Sequence, residues 1–409
     1  MLLIIVGMQR IYQSLIAQHL QHYKQMLFLA GPRQVGKTTL SLATKPLAGQ
    51  FTYLNWDNSD HRKIILEGPA AIAHEAGVGK AQPNLPIIVF DELHKYRLWK
   101  NFLKGFFDTY RDQLRILLTG SSKLDVYRRG GDSLMGRYFP YRIHPFSVAE
   151  TLRTEINNKI IQIPKPIETE TFDALFEFGG FPEPFINRNK QFSRRWKQLR
   201  QEQLFREDIR DISQLQDIHR LEILAELIKS QAGQLTNYSN LANKIQVSIQ
   251  TIQRWVKVLS DFYYCFTIKP WSKNIPRSLL KGPKIYLWDW SEIEESGMRS
   301  ENFIASHLLK AVNFWTDSGL GDYSLYFLRD KDKNEVDFLV TQDKKPWFLV
   351  EVKHSNNNRI SPLLEKFQQQ TGAKHAFQVV MKMDYVDIDC FSYQKPIIVP
   401  AKTFLSQLV

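Results

Sequence analysis

A nine-residue segment near the start of the chain limits the possible folds more than any other feature. It reads Gly31-Pro32-Arg33-Gln34-Val35-Gly36-Lys37-Thr38-Thr39 and follows the apolar run 26–30. An apolar strand, a glycine-containing loop and the first turn of a helix, in this order, are typical of loops that wrap backbone N–H groups around phosphates. The segment therefore predicts a parallel α/β sheet that binds ATP or GTP.

Each part of this loop has a predicted task. Gly31 and Gly36 permit backbone dihedrals and close approaches that a Cβ atom would block. Lys37 is placed to contact the β- and γ-phosphates, and the Thr38 hydroxyl is placed to ligate Mg²⁺. We predict that all residues of the segment 31–39 bind the nucleotide. The alternative is a glycine turn followed by an incidental lysine.

A second apolar run, 85–90, ends abruptly in Asp91 and Glu92. Uninterrupted apolar strands are typical of parallel sheets buried on both faces, and such sheets bind ligands at the carboxyl ends of their strands. We predict that Asp91 holds Mg²⁺ through water and that Glu92 polarises the water that attacks the γ-phosphate. The alternative is a solvated acidic loop.

A third apolar run, 114–118, leads into Thr119, Gly120 and Ser121. The hydroxyls of Thr119 and Ser121 follow a strand end, so each is a candidate for sensing the γ-phosphate or orienting the attacking water. Because serine and glycine are common in turns, a purely turn-forming role is the alternative.

Several motifs of the chain together resemble a known family. They are GPRQVGKTT, DELHKYRLW, LLTGSSKL, LMGRYFPYRIHPFSVAE and FGGFPEPF. They resemble a prokaryotic family of the AAA+ superfamily, in which an N-terminal ATPase domain precedes a C-terminal domain of unknown function of the DUF4143 type. The resemblance implies ATP hydrolysis with Lys37 and Glu92 as catalytic residues. It also makes Arg137 a candidate phosphate-sensing or finger arginine, in cis or in trans within an oligomer, with a structural salt bridge as the alternative.

Length and composition limit the class of protein. At 409 residues the chain exceeds the ~250–300 residues of a single core, and 43% hydrophobic residues exclude a disordered chain. Cys265 and Cys390 are too few for a zinc cluster or a disulfide framework, so we expect buried, reduced thiols. The apolar start, 1–7, is too short to span a bilayer and lacks a basic region, which predicts a cytoplasmic protein without a membrane segment.

Three domains are expected along the chain. Residues 1–155 alternate apolar runs with helical segments, as a doubly wound parallel sheet requires. The predicted strands of this sheet are 26–30, 51–56, 87–91, 114–119 and 138–144. Residues 156–285 are expected to form a helical lid and a winged-helix-like domain, and residues 286–409 an α/β domain.

The middle region carries most of the positive charge. Residues 185–285 contain 18 Lys and Arg against 8 Asp and Glu, an excess of ten within a net charge of +12 for the chain. Such a concentration attracts phosphate backbones, so we predict nucleic acid, and DNA in particular, as the partner. A charged, solvated helical surface is the alternative.

A helix-turn-helix pattern lies within this region. Residues 238–247 form a short helical segment, Ser248 is placed to cap the next helix, and 249–259 continue with helical periodicity. The inward stripe of the second helix is predicted to be Ile252, Trp255, Val256 and Leu259. The outward residues, predicted to reach a DNA major groove, are Gln250, Gln253, Arg254 and Lys257. The alternative is a lid or packing module that never touches DNA.

Charged residues are also expected to converge in the C-terminal third. Glu301 opens a helix, Asp337 lies in the strand 335–340, and Glu351 and Lys353 lie in the strand 348–354. The two-residue period of a strand puts Glu351 and Lys353 on one face, and the turn 341–346 can bring Asp337 alongside.

The order of these elements resembles the PD-(D/E)xK nuclease-like fold. The resemblance implies that Asp337 and Glu351 bind Mg²⁺, that Glu301 completes the metal shell, and that Lys353 steadies the attacking water or the phosphate. Two functions follow as hypotheses. The first is an ATPase that acts on DNA. The second is an ATP-controlled switch or scaffold whose nuclease-like domain is inactive and binds a protein partner.

Overall fold

The computed structural model describes residues 9–120, 134–155, 159–210, 217–272, 282–355 and 359–409. The chain divides into two compact units. The first comprises the described residues up to His144 together with 153–155, and the second comprises Pro145–Leu152 and the described residues from 159 onwards.

The first unit is a single parallel sheet with its helices. Its helices are α1 (Ile11–His22), α2 (Lys37–Leu42), α3 (Ser59–Glu67), α4 (Pro69–Glu75) and α5 (Trp99–Tyr110). Its strands are β1 (Met26–Ala30), β2 (Phe51–Asn55), β3 (Ile87–Asp91), β4 (Arg115–Gly120) and β5 (Tyr138–Arg142).

The sheet has the order β2-β3-β4-β1-β5, and all of its strand pairs are parallel. The predicted parallel sheet is thus confirmed. Every residue of β1 and β3 is buried, as expected for apolar strands covered on both faces. Because the strands are parallel and in register, the ends of β1, β3 and β4 lie at one edge of the sheet.

Aromatic packing covers one face of this sheet. Phe90 of β3 makes edge-to-face contacts with Phe102 and Phe106 of α5, with ring centroids 6.0 and 5.9 Å apart. Such contacts add to the free energy gained by burying the rings. They anchor β3 immediately before Asp91, where the chain leaves the sheet.

The second unit contains the remaining elements. Its helices are α6 (Val148–Leu152), α7 (Thr169–Phe178), α8 (Pro182–Asn187), α9 (Lys190–Gln203), α10 (Ile218–Ser230), α11 (Tyr238–Ile245), α12 (Ile249–Asp261), α13 (Ser296–Asp317), α14 (Pro362–Thr371) and α15 (Ala401–Ser406). Its strands are β6 (Cys265–Pro270), β7 (Lys284–Leu287), β8 (Tyr323–Arg329), β9 (Glu335–Gln342), β10 (Lys345–Ser355), β11 (His375–Lys382) and β12 (Ile397–Pro400).

Helices α10, α11 and α12 share one hydrophobic core with β6 and β7. The inward stripe predicted for α12 is confirmed, because Ile252, Trp255, Val256 and Leu259 are all buried. The predicted cap is also present, since Ser248 Oγ accepts a hydrogen bond from Thr251 N at 3.1 Å. An isolated antiparallel bridge joins Leu235 to Lys284, and β6 pairs antiparallel with β7.

This hairpin is also part of a larger mixed sheet, whose order is β12-β11-β10-β9-β8-β6-β7. Strand β6 joins β8 in parallel through the pairs Lys269 with Tyr326 and Pro270 with Phe327. The expected boundary at residue 285 therefore falls inside one continuous sheet. Strands β8 and β6 lie between β9 and β7 in this order, yet the Lys284 ammonium of β7 lies 2.6 Å from Glu335 Oε1 of β9.

The structure also bears on the cysteines and on membrane-spanning helices. Cys265 and Cys390 are buried thiols that form no disulfide with each other. Within the described ranges, no helix combines the length and apolarity that a bilayer crossing requires.

Candidate nucleotide site and a lysine-centred carboxylate cluster

The loop between β1 and α2 has the backbone shape that its sequence predicts. Gly36 has a φ of 98°, and Gln34 has a φ of 61°, so two residues adopt the left-handed region. Gly31 is required for a different reason, because a Cβ atom there would lie 2.5 Å from the carbonyl oxygen of Ile143. The loop is thus tightly curved and pressed against the residue that follows β5.

Lys37 points back over this loop from the first turn of α2. Its buried ammonium donates hydrogen bonds to the carbonyl oxygens of Gly31 at 2.8 Å and Pro32 at 2.7 Å. Both acceptors are neutral, so these bonds position the ammonium without cancelling its charge.

Asp91 lies at the end of β3, opposite this helix. Thr38 Oγ1 donates to its Oδ2 at 3.3 Å, Tyr53 also bonds to Oδ2, and Thr119 bonds to Oδ1. Strand register explains the assembly, because Asp91 pairs with Thr119 of β4 and with Asn55 of β2. The predicted residues Lys37, Thr38, Asp91 and Thr119 therefore meet at one edge of the sheet. Tyr53 was not anticipated, and its place two residues before the end of β2 is the only signal.

Glu92 follows in a left-handed conformation, with a φ of 56°. Burial raises the pKa of its carboxyl group, and the charge of Asp91 adds to this effect, whereas the Lys95 ammonium opposes it. Glu92 Oε2 lies 3.4 Å from His94 Nε2 and 3.7 Å from Lys95 Nζ. Burial lowers the pKa of His94 to about 3, so the imidazole is neutral at physiological pH. A more basic carboxylate next to a neutral ring is suited to accepting a proton from water.

Arg10 is a second residue that the sequence analysis missed. Its guanidinium is buried and donates to the carbonyl oxygens of Val35 at 2.8 Å and His144 at 2.6 Å. It thereby joins the phosphate loop to the segment after β5. An arginine just before the first helix is the only sequence signal for this role.

Arg137 does not lie at this edge of the sheet. It precedes β5, whose first residue pairs with Met26 at the start of β1, so it lies at the amino ends of the strands. Its guanidinium forms a bidentate pair with Asp108, at 2.8 and 2.9 Å. Within one chain, Arg137 therefore forms a salt bridge with Asp108, which was the alternative to the predicted phosphate contact. Ser121 lies outside the described residues.

The predicted C-terminal residues converge, but around a lysine. Lys284 of β7 is 3% exposed, and its ammonium lies 3.0 Å from Glu301 Oε1, 2.6 Å from Glu335 Oε1 and 4.0 Å from Asp337 Oδ1. Tyr286, also on β7, donates to Glu301 Oε1 at 2.7 Å. We call this group, with Glu351 and Lys353, the carboxylate cluster.

The partners of Asp337 and Glu351 follow from the strands. Antiparallel pairing of β9 and β10 extends to Phe338 with Val350, and beyond it Val352 N donates to Asp337 Oδ2 at 2.8 Å. Lys353 Nζ lies 2.9 Å from Glu351 Oε1. The other oxygen of Glu351, Oε2, is buried and has no hydrogen-bond partner among the described residues.

Electrostatics in the cluster are governed by burial and by mutual repulsion of the acids. Burial raises the pKa of Asp337 well above its usual range, and the charges of Glu301 and Glu351 add to the rise. Burial alone lowers the pKa of the Lys284 ammonium, but the charges of Glu301, Asp337 and Glu335 outweigh it and raise that pKa above its ordinary value. Lys284 is therefore protonated, and it is the cation that these carboxylates share.

In this arrangement two of the predicted metal ligands, Glu301 and Glu351, are paired with lysines. No group of three or more His, Cys, Asp or Glu side chains in the described part of the chain is arranged to hold a metal ion. The expected ligands Glu301, Asp337 and Glu351 are brought to one place, as the sequence suggested, but Lys284 and Lys353 provide the positive charge. Sequence reasoning missed Lys284 because it belongs to another predicted domain.

The outward face of α12 is exposed as expected. Gln250, Gln253, Arg254 and Lys257 are all solvent-exposed. Lys257 forms an ion pair with Asp261 at 3.0 Å, one turn further along the helix.

Comparison with known families assigns most of the chain. Residues 23–152 match the model of an AAA domain, residues 169–291 match the Domain of unknown function (DUF8612), and residues 296–400 match the Domain of unknown function (DUF4143). The parallel sheet, the phosphate loop and the first match define the class, a P-loop protein with an AAA domain. More narrowly, the match to an AAA domain over residues 23–152 is followed by the match to DUF4143 over residues 296–400.

Individual relatives are distant. Uncharacterized proteins of Mycobacterium tuberculosis and Mycobacterium bovis are each 22% identical over 355 residues, which is 83% of this chain and 73% of theirs. Among solved structures, AMPPCP-bound DnaA from Aquifex aeolicus matches at 13% identity and a TM-score of 0.31, over 60% of this chain and 86% of DnaA. PCH-2 of C. elegans matches at 19% identity and a TM-score of 0.23, over 34% of this chain and 41% of PCH-2. At such TM-scores the fold rests on the strand order described above.

Proposed function

We propose that the first unit binds ATP with Mg²⁺ and hydrolyses it. The observation that carries the proposal is the meeting of the phosphate loop with Asp91, whose Oδ2 lies 3.3 Å from Thr38 Oγ1. Oxygen donors of this kind suit Mg²⁺, and the hydrogen-bond donors to Asp91 are neutral hydroxyls that leave its negative charge in place. Bound there, Mg²⁺ would offset charge on the phosphates.

The side chains divide the work of hydrolysis. Backbone N–H groups of the loop and the Lys37 ammonium hold the phosphates, and Thr38 and Asp91 hold the metal. Glu92 accepts a proton from water as the water oxygen bonds to the γ-phosphorus and the bond to the β-phosphate oxygen breaks. The products are ADP, inorganic phosphate and a proton that Glu92 returns to solvent.

Phosphate release from ATP tests this proposal directly. The wild-type chain should release phosphate only when Mg²⁺ is present, and Asp91→Asn should lose most of that activity because it removes the charge that attracts the metal. Asp112→Asn is the matched control, since Asp112 is exposed and pairs with Lys24. Equal Mg²⁺-dependent activity in Asp91→Asn and wild type would refute the assignment.

We further propose that α12 binds DNA. Three helices that share one core are followed by the antiparallel strands β6 and β7, an order of elements typical of winged helices. The exposed face of α12 carries Gln250, Gln253, Arg254 and Lys257. The excess of ten positive charges in 185–285 supports a polyanionic partner. A packing module would instead be expected to bury this face.

Salt-dependent binding of duplex DNA tests this second proposal. Fluorescence anisotropy with labelled DNA should show affinity that falls steeply with salt, and Arg254→Ala should reduce both affinity and the salt slope, the latter by about 1 if Arg254 contacts a phosphate. Arg111→Ala, an exposed arginine in the first unit, is the control. A shallow salt response that Arg254→Ala leaves unchanged would favour the packing alternative.

For the C-terminal domain, the contacts of the carboxylate cluster favour the switch or scaffold over a nuclease. Lys284 is bonded to Glu301 and Glu335, so the acids of the cluster already have a cation. We therefore propose that nucleotide state controls binding of a partner by this domain. DNA incubated with the chain, ATP and Mg²⁺ should remain uncut, and cleavage that Asp337→Ala removes would restore the nuclease hypothesis.

A further inference from the structure

Lys284 occupies the centre of the carboxylate cluster in a way that a surface lysine does not. It is 3% exposed, and its ammonium lies between two carboxylate oxygens at 2.6 and 3.0 Å and the ring of Phe327, whose centroid is 5.7 Å away. Breaking a buried ion pair by removing one partner is strongly unfavourable, because the remaining charge is left uncompensated. The ammonium is therefore held firmly at this position.

The other charges of the cluster are also paired. Arg329 Nη1 lies 2.7 Å from Glu335 Oε2, and Lys353 Nζ lies 2.9 Å from Glu351 Oε1. A divalent cation would require several of these oxygens at 2.0–2.6 Å. It would thus have to compete with three cationic side chains that are part of the fold.

We infer that Lys284 is the resident cation of the carboxylate cluster and excludes divalent metal from it. Its role is to join the hairpin of β6 and β7 to α13 and β9, the elements that carry Glu301, Glu335 and Asp337. The cluster thus joins the β6–β7 strand pair to α13 and β9 and is not a catalytic metal centre. This role of Lys284 is separate from nucleotide hydrolysis, and it rests on the proposal that the C-terminal domain is a switch or scaffold.

One buried carboxylate oxygen of the cluster is left without a hydrogen bond. Glu351 Oε2 has no hydrogen-bond partner among the described residues, and Glu351 is 8% exposed. With Lys284 replaced by an apolar side chain, Glu301 would lose its cation, and Glu301, Asp337 and Glu351 would be left as neighbouring oxygen ligands. Such a group attracts hard divalent cations.

Manganese binding, measured by electron paramagnetic resonance, tests the inference. The full chain carrying Asp91→Asn, which disables the nucleotide site, is titrated with Mn²⁺ in the absence of nucleotide. It should bind no Mn²⁺ at the cluster, whereas adding Lys284→Met should create one site, and Asp337→Asn should remove that site again. Mn²⁺ should also raise the melting temperature of the Lys284→Met protein only.

Two controls keep the result interpretable. Lys269→Met removes an exposed lysine from the same hairpin and should create no site. Lys284→Arg keeps the cation and should also create none. A Mn²⁺ site that is present with Lys284 intact and lost in Asp337→Asn would overturn the inference, and this arm decides the matter even if Lys284→Met does not fold. A folded Lys284→Met protein without a Mn²⁺ site would overturn it as well.

Discussion

Two buried lysines of this protein, Lys37 and Lys284, differ in the partners of their ammonium groups, and this difference separates a binding site from a structural ion pair. Lys37 donates to two neutral carbonyl oxygens, and nearby Asp91 accepts from neutral hydroxyls. Lys284 instead lies against Glu301 and Glu335. At the first site these hydrogen bonds join each charged group to neutral groups, so they do not cancel the charges that a phosphate and a metal would use. At the second site the protein's own charges neutralise one another.

The largest effect expected from this contrast is on stability. Lys284→Met should lower the free energy of unfolding by about 3–5 kcal/mol, because it leaves buried carboxylates without their cation. Tyr53→Phe, which removes one neutral hydroxyl from Asp91, should cost only about 1 kcal/mol. Urea unfolding, monitored by hydrogen exchange separately in each unit, measures the two losses of free energy of unfolding. Equal losses of free energy of unfolding in the two variants would contradict the comparison. They would mean that the ion pairs of Lys284 stabilise the fold no more than one neutral hydrogen bond does.

The next largest effect is expected on ATP hydrolysis at the candidate nucleotide site. Glu92→Gln should slow ATP hydrolysis about 100- to 1,000-fold, since the amide cannot accept the proton, while ATP affinity changes little. Glu67→Gln, an exposed glutamate at the end of α3, should hydrolyse ATP normally. Single-turnover hydrolysis and separate binding titrations measure the two quantities. Hydrolysis by Glu92→Gln at the wild-type rate would assign the proton transfer to another group.

Nucleotide affinity is expected to depend on Lys37, which donates hydrogen bonds to the carbonyl oxygens of Gly31 and Pro32. Lys37→Ala should weaken binding of a fluorescent ATP analogue about 100-fold, the value of losing roughly 3 kcal/mol of charge-assisted contact. Lys45→Ala, an exposed lysine just after α2, serves as the control. Circular dichroism checks that the loop variant is folded. Normal binding by Lys37→Ala would undo the assignment of the phosphate loop.

The smallest expected effect is a shift in pH dependence. Glu92 must be ionised to act as a base, so hydrolysis should fall as pH decreases through its raised pKa. The Lys95 ammonium lowers that pKa, so Lys95→Met should move the acid limb to higher pH, by up to about one unit. Lys63→Met, which removes an exposed lysine of α3, should not move it. A limb that moves to lower pH in Lys95→Met would show that another group controls the rate.

The sequence was most informative where function depends on neighbours along the chain. Strands β1 and β3 have the bounds predicted for them, because each is an uninterrupted apolar run that ends in a glycine or in acids. Arg10 was missed because its acceptor, the carbonyl oxygen of His144, lies 134 residues away. Arg137 was placed on a motif alone, and only strand direction shows that it lies at the opposite edge from Lys37.

By itself, the sequence determined the phosphate loop, the acidic end of β3 and the order of the elements, since local backbone shape and apolar periodicity encode all three. Tertiary structure decided which charges meet. Hydroxyls surround Asp91 because β2 and β4 pair with β3 in register, and Lys284 of β7 meets Glu301 of α13 and Glu335 of β9 only once the second unit has folded. Electrostatic partners are set by distances across the fold, and one sequence contains no direct record of those distances.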